Sequence, residues 1–198
     1  MKRSIVLIAS ILWIIPCILA AQTESANLIK NGDFEKFTGD EPVDWETSNI
    51  PGSLTVVSPD RLSHGGTKGV RCDVKDFFGT KIAGYVYQKN IRLTGRNLQL
   101  SGYYLMHSTG KDAGVIIICF VSPGGATLGT AEEYFRESNK DFAHFTKDVE
   151  APADAATCHV RLTILSDPEA ETLHAGSYVI FDDVKLVVVQ PKLQPVGQ

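Results

Sequence analysis

The chain has 198 residues, 43% of them apolar and 21% charged, with a formal net charge of −4. That length is enough for one domain with a full core. The acidic balance argues against a nucleic-acid partner, which needs a basic face to meet phosphates.

Residues 1–21 read as a cleaved secretory signal peptide. Lys2 and Arg3 precede an apolar run over 4–20, and Ala20 and Ala21 offer a small-residue cut. The run also sits at the short limit of a membrane-spanning helix, so a retained N-terminal anchor is the alternative. Pro16 before Cys17 does not fit processing to a lipid-modified cysteine. Loss of Lys2 and Arg3 moves the formal charge from −4 to −6. No second apolar run is long enough to span a membrane, so the expected location is secreted or cell-envelope, and the expected state a monomer.

The rest of the chain is dominated by a period of two, with no long amphipathic helix. Residues 27–35, N-L-I-K-N-G-D-F-E, read as a first strand carrying acidic groups. Trp45 follows an acidic, proline-containing loop and reads as core. Val70, Cys72 and Val74 then alternate with Gly69, Arg71 and Asp73, and Tyr85, Tyr87, Lys89 and Ile91 alternate with Val86, Gln88 and Asn90. Further strands are expected over 98–106, 114–121, 142–149, 157–165 and 177–189. Residues 130–139 read as a loop.

Turn residues separate these runs: Ser63-His64-Gly65-Gly66, Thr94-Gly95, Ser108-Thr109-Gly110, Ser122-Pro123-Gly124-Gly125 and Asp167-Pro168. Short strands at this spacing predict an all-β fold, a jelly-roll β-sandwich over residues 27–189. Residues 190–198, with Pro191 and Pro195, read as a disordered tail. Cys72, Cys119 and Cys158 all lie in apolar strand patterns without C-x-x-C spacing. Buried thiols are therefore favoured over one disulfide with a free thiol left over.

The order of signals is distinctive. N-L-I-K-N-G-D-F-E opens the domain, and Trp45 follows. His64-Gly65-Gly66-Thr67-Lys68-Gly69 leads into a strand, Val86-Tyr87-Gln88 precedes Leu93-Thr94-Gly95, and Phe181-Asp182-Asp183-Val184 closes it. This resembles the carbohydrate-binding modules of families four, nine and twenty-two, with their galactose-binding-domain-like jelly roll. The resemblance covers nearly all of residues 27–189.

The resemblance implies a structural calcium where the first and last strands meet. Glu35 matches the family's N-terminal acidic ligand and Asp182 the C-terminal one, with Asp33 and part of the 64–68 turn contributing mainly backbone carbonyls. Calcium takes six to eight oxygens of this kind. The alternative is that these acids hydrogen-bond to backbone. Alternation places Asp182 and Asp183 on opposite faces, so only one of them is expected to point at the site.

The resemblance also implies a polysaccharide or glycan partner, bound on a concave face where aromatic rings stack on pyranoses and polar groups meet the hydroxyls. With Trp45 in the core, tyrosine must supply the platform: Tyr85 and Tyr87 on one strand face, Tyr103 with His107 on another. In the strand over 157–165, Thr157, His159, Arg161 and Thr163 face away from a core made by Cys158, Val160, Leu162 and Ile164. His159 and Arg161 are the polar candidates. A one-sided solvated strand shows the same row.

No G-x-S-x-G, H-E-x-x-H, phosphate-binding loop or dinucleotide fingerprint occurs. No pair of acids stands out as a glycosidase pair either. The reading is therefore a non-catalytic, extracytoplasmic carbohydrate-binding module, with a structural or adhesive envelope sandwich lacking sugar affinity as the alternative.

Overall fold

The computed structural model describes residues 26–166 and 172–190. The expected signal peptide, the Asp167-Pro168 turn and all of the expected tail but Gln190 lie outside them. The N-terminal part carries β1 (Phe37–Thr38), β2 (Glu41–Pro42), β3 (Glu46–Thr47), β4 (Val57–Asp60), β5 (Gly69–Phe77) and β6 (Thr80–Ala83). The longer strands follow: β7 (Tyr85–Arg92), β8 (Asn97–His107), β9 (Asp112–Val121), β10 (Thr127–Phe135), β11 (Ala143–Glu150), β12 (Thr157–Ser166) and β13 (Tyr178–Val188). No helix occurs among the described residues. None is therefore long and apolar enough to cross a membrane.

Two antiparallel sheets stack face to face. One runs β10-β9-β12-β7-β3, and the other β11-β8-β13-β5-β4 with β6 beside β5. Alternation explains the packing, because each strand turns every second side chain toward its opposite sheet. Ile116, Ile118, Val160, Leu162 and Ile164 from the first sheet are buried. They form one cluster with Leu98, Leu100, Val179, Phe181 and Leu186 from the second. The all-β sandwich is the fold expected.

Three local expectations need correction. Residues 27–35 form turns and not a strand, since Asn31 and Phe34 take left-handed φ values of 47° and 46° that break extended pairing. The segment still meets the last strand: Leu28 N–H donates to Leu186 O at 2.8 Å and Val184 N–H to Gly32 O at 2.8 Å. The expected loop at 130–139 is largely β10, an edge strand whose register shifts between Thr127 and Gly129. Finally, β13 bulges between Asp182 and Lys185, with Asp183 at φ 50°. The extra residue cancels strict alternation, and both acids reach the same turn.

Trp45 is core as expected. It is 7% exposed, packs against Phe34 at 5.4 Å between centroids, and donates from Nε1 to Lys30 O at 3.1 Å. Cys72, Cys119 and Cys158 are all free thiols, the first and last buried. Cys119 is only half-buried, because its position on β9 faces out of the sandwich.

Candidate binding face

Strand register carries side chains into rows across the outer face of the five-stranded sheet. Glu46 pairs with Tyr87, Tyr87 with Arg161, Arg161 with Ile117 and Ile117 with Glu132. A second row runs Tyr85–Thr163, Thr163–Val115 and Val115–Tyr134. Tyr85, Tyr87, Ile117, Cys119, His159 and Arg161 together line a cleft of about 350 Å³. Four of the five residues expected to bind sugar are thus brought together.

Each is held by its neighbours. The Arg161 guanidinium lies 4.2 Å from the centre of the Tyr85 ring. Tyr87 and His159 meet edge-on at 5.7 Å between ring centres. Burial pushes the Tyr87 phenol above its ordinary value, so it stays protonated and can donate at neutral pH. β7 carries an extra residue opposite His159, with Asn90 at φ 55°. The Asn90 N–H donates to His159 Nδ1 at 3.0 Å. A neutral imidazole that accepts at Nδ1 carries its proton on Nε2, so His159 presents a donor.

Tyr103 is a correction. It lies on β8 in the other sheet, paired with His144 and Asp182. Its ring is stacked by His64 at 3.3 Å between centres, with His144 at 5.0 Å. Period two tells which residues of a strand share a face, but not which sheet the strand joins. Sequence reasoning also missed Tyr134, which shares the Tyr85 row. Its hydroxyl donates to Glu132 Oε2 at 2.7 Å, and Arg136 lies over its ring at 4.8 Å. The alternation of Thr130, Glu132 and Tyr134 was the available signal.

A larger hollow of about 520 Å³ lies at the β3–β7 edge, where Gln88, Lys89 and Glu46 are already engaged. Gln88 bonds Lys30 O at 3.0 Å and Asp44 O at 3.2 Å. Lys89 pairs with Glu46 at 2.6 Å. Tyr87 lines both hollows.

At the meeting of the termini, Glu35 and Asp182 grip one turn from two sides. Glu35 Oε1 accepts the N–H groups of Thr67 at 2.7 Å and Lys68 at 3.0 Å, and Oε2 the Thr67 hydroxyl at 2.8 Å. The Thr67 N–H bond leads the causes that hold the Glu35 carboxyl below its usual range. Asp182 Oδ2 accepts His64 N–H at 2.7 Å and Gly65 N–H at 2.9 Å, and Oδ1 the Asp183 N–H at 2.8 Å. Burial nonetheless moves the Asp182 carboxyl upward.

The Asp33 side chain is exposed and shares a hollow with Asp183 and Lys185. No set of three His, Cys, Asp or Glu side chains converges for a metal among the described residues. Calcium needs oxygens where these carboxylates now face hydrogens. The arrangement does not fit the ion unless the turn rearranges.

No family model and no curated protein matches the sequence. The fold has solved counterparts. The enzymatically active domain of tailspike protein 4 from bacteriophage CBA120 aligns with a TM-score of 0.60 at 15% identity, covering 82% of this chain. The chain spans 21% of that protein's length. The module TmCBM61, solved with β-1,4-galactotriose, aligns at 0.56 and 14% identity over 83% of this chain and 100% of its own. A cyclase from Fischerella sp. TAU aligns at 0.57 and 15% identity over 84% and 100%. The chain therefore has the jelly-roll fold of carbohydrate-binding modules, a fold that enzymes also use.

Proposed function

We propose that the chain is a non-catalytic carbohydrate-binding module that holds polysaccharide across the outer face of the five-stranded sheet. The observation that carries this reading is the convergence of Tyr85, Tyr87, His159 and Arg161 on one cleft. Two half-exposed tyrosines offer apolar ring faces for pyranose stacking, and the donors beside them meet ring substituents.

The spacing of the acids on this face supports the non-catalytic reading. Glu46 and Glu132, the acids of the central row, sit on its outermost strands. Four strand spacings separate them by about 19 Å, whereas glycoside hydrolysis uses carboxylates about 5–9.5 Å apart. The basic start and apolar run of residues 1–21 support a place outside the cytoplasm.

Calcium is not needed for this reading, because five N–H groups and a hydroxyl already hold Glu35 and Asp182. Affinity electrophoresis across a panel of neutral and acidic polysaccharides tests the function. Retardation on at least one glycan is expected. Free migration in every gel would leave a structural or adhesive sandwich in its place.

A further inference from the structure

We infer that the glycan this face takes is acidic, its carboxylate or sulfate group seated against Arg161. This rests on the binding reading above and narrows it to a ligand class. The six residues lining the cleft include no carboxylate and no carboxamide. The donor-only groups are the Arg161 guanidinium and the His159 Nε2–H, while the two tyrosine hydroxyls donate as well as accept. Neutral sugar hydroxyls both donate and accept, so a cleft for them calls for strong acceptors as well. A donor-rich cleft is complementary to a group that only accepts.

Arg71 also lies over a tyrosine, 3.6 Å from the centre of Tyr178, and it is paired with Asp73 at 2.9 Å and Asp60 at 3.3 Å. Arg161 has the same aromatic support without the anions. It makes no ion pair among the described residues, and its Nε is buried with no hydrogen-bond partner. An unbalanced guanidinium packed on a ring is suited to carboxylate or sulfate, whose paired oxygens match its fork. The acidic net charge of the chain makes non-specific attraction to polyanions a poor substitute for this contact.

The test is affinity electrophoresis of the unmodified protein in gels containing polygalacturonate, fully methyl-esterified pectin, chondroitin sulfate, and neutral β-1,4-galactan and xylan. Retardation is expected on polygalacturonate, which carries carboxylate alone, or on chondroitin sulfate, which carries carboxylate and sulfate; retardation on the second without the first assigns the contact to sulfate. Retardation should weaken about ten-fold between about 0.05 and 0.5 M NaCl, as the contact is screened. Methyl esterification, which removes charge from the same backbone, should abolish the carboxylate-dependent part. Arg161→Gln should weaken binding about ten-fold and Arg161→Lys less. Equal or tighter binding to a neutral glycan overturns this inference and leaves the module reading standing. Free migration on every gel overturns both. The salt and esterification arms need no variant, so a folding defect in Arg161→Gln cannot decide the outcome.

Discussion

Tyr87 and Arg161 are direct cross-strand partners on β7 and β12, and Ile117 faces Arg161 from the other side on β9. The central cation of the face therefore sits between an aromatic and an aliphatic side chain, with no acid beside it. Ile117→Glu would give Arg161 an anion within the protein. Opposite charges in facing strands contribute about 0.2–1 kcal/mol, so the fold should be kept, with Tm within about 2 °C of the parent. Glycan retardation should fall about ten-fold. Unchanged retardation with intact folding would remove Arg161 from the site.

Glu35 supplies a pH-dependent clasp. Its carboxyl is held below the ordinary range in the folded chain, so the stability it contributes is present above the unfolded pKa. That contribution is lost as pH falls through the lower folded value. Glu35→Gln should lower Tm at neutral pH by about 2–4 °C, roughly 1 kcal/mol for a chain of this size. The gap between the two proteins should close as the pH is taken down toward 3. A gap that persists in acid would mean that the carboxylate charge is not what holds the turn.

Gly66 probes the same contact from the other side. It has φ +59°, and a Cβ there would lie 2.2 Å from Glu35 Oε1. Gly125 has φ +84° with nothing within 4 Å of such a carbon. Alanine is strained at both positions, so the excess cost of Gly66→Ala over Gly125→Ala, read as Tm, reports the clash with Glu35. Equal costs would show that the carboxylate does not occupy that space.

Chelation addresses the expected calcium. A ligand bound only to the folded state adds RT ln(1 + [L]/Kd) to stability. Because backbone N–H groups hold Glu35 and Asp182, added EDTA should leave Tm unchanged within about 1 °C. A drop of several degrees, reversed by calcium, would mean that the turn rearranges around the ion.

The thiols give an independent reading of the cleft. Burial pushes the Cys158 thiol up to about 12 and the Cys72 thiol higher still, which keeps both unreactive. Cys119 is half-buried and lines the cleft. Of the three, Cys119 alone should react with Ellman's reagent in native buffer, and a bound glycan should slow that reaction. Reaction of Cys72 or Cys158 under native conditions would contradict the packing.

The fold was legible in the sequence because burial imposes period two on long strands. β12 announced its extent and its outward His159 and Arg161, and β7 its Tyr85 and Tyr87, but the extra residue in β7 opposite His159 turns Ile91 into the core, against the expected alternation. What failed did so for local physical reasons. Asn31 and Phe34 adopt left-handed backbone that no alternation pattern encodes, so turns looked like a strand. The bulge at Asp182–Lys185 adds one residue and brings Asp183 round to His64, at 2.8 Å from its Nδ1. Edge strand β10 hid behind the adjacent Glu132 and Glu133, which blur its two faces, and with it went Tyr134. Tyr103 was grouped with the other tyrosines because sheet membership depends on long-range pairing.

The central claim is that the five-stranded sheet carries the binding face and the six-stranded sheet does not. The most direct measurement compares Tyr87→Ala and Tyr103→Ala by affinity electrophoresis on the polysaccharide that retards the parent protein most. Tyr87→Ala should lose at least about ten-fold in affinity, near 1.4 kcal/mol, while Tyr103→Ala migrates as the parent does. Loss of retardation in Tyr103→Ala with Tyr87→Ala unaffected would place the site on the opposite sheet and contradict the account.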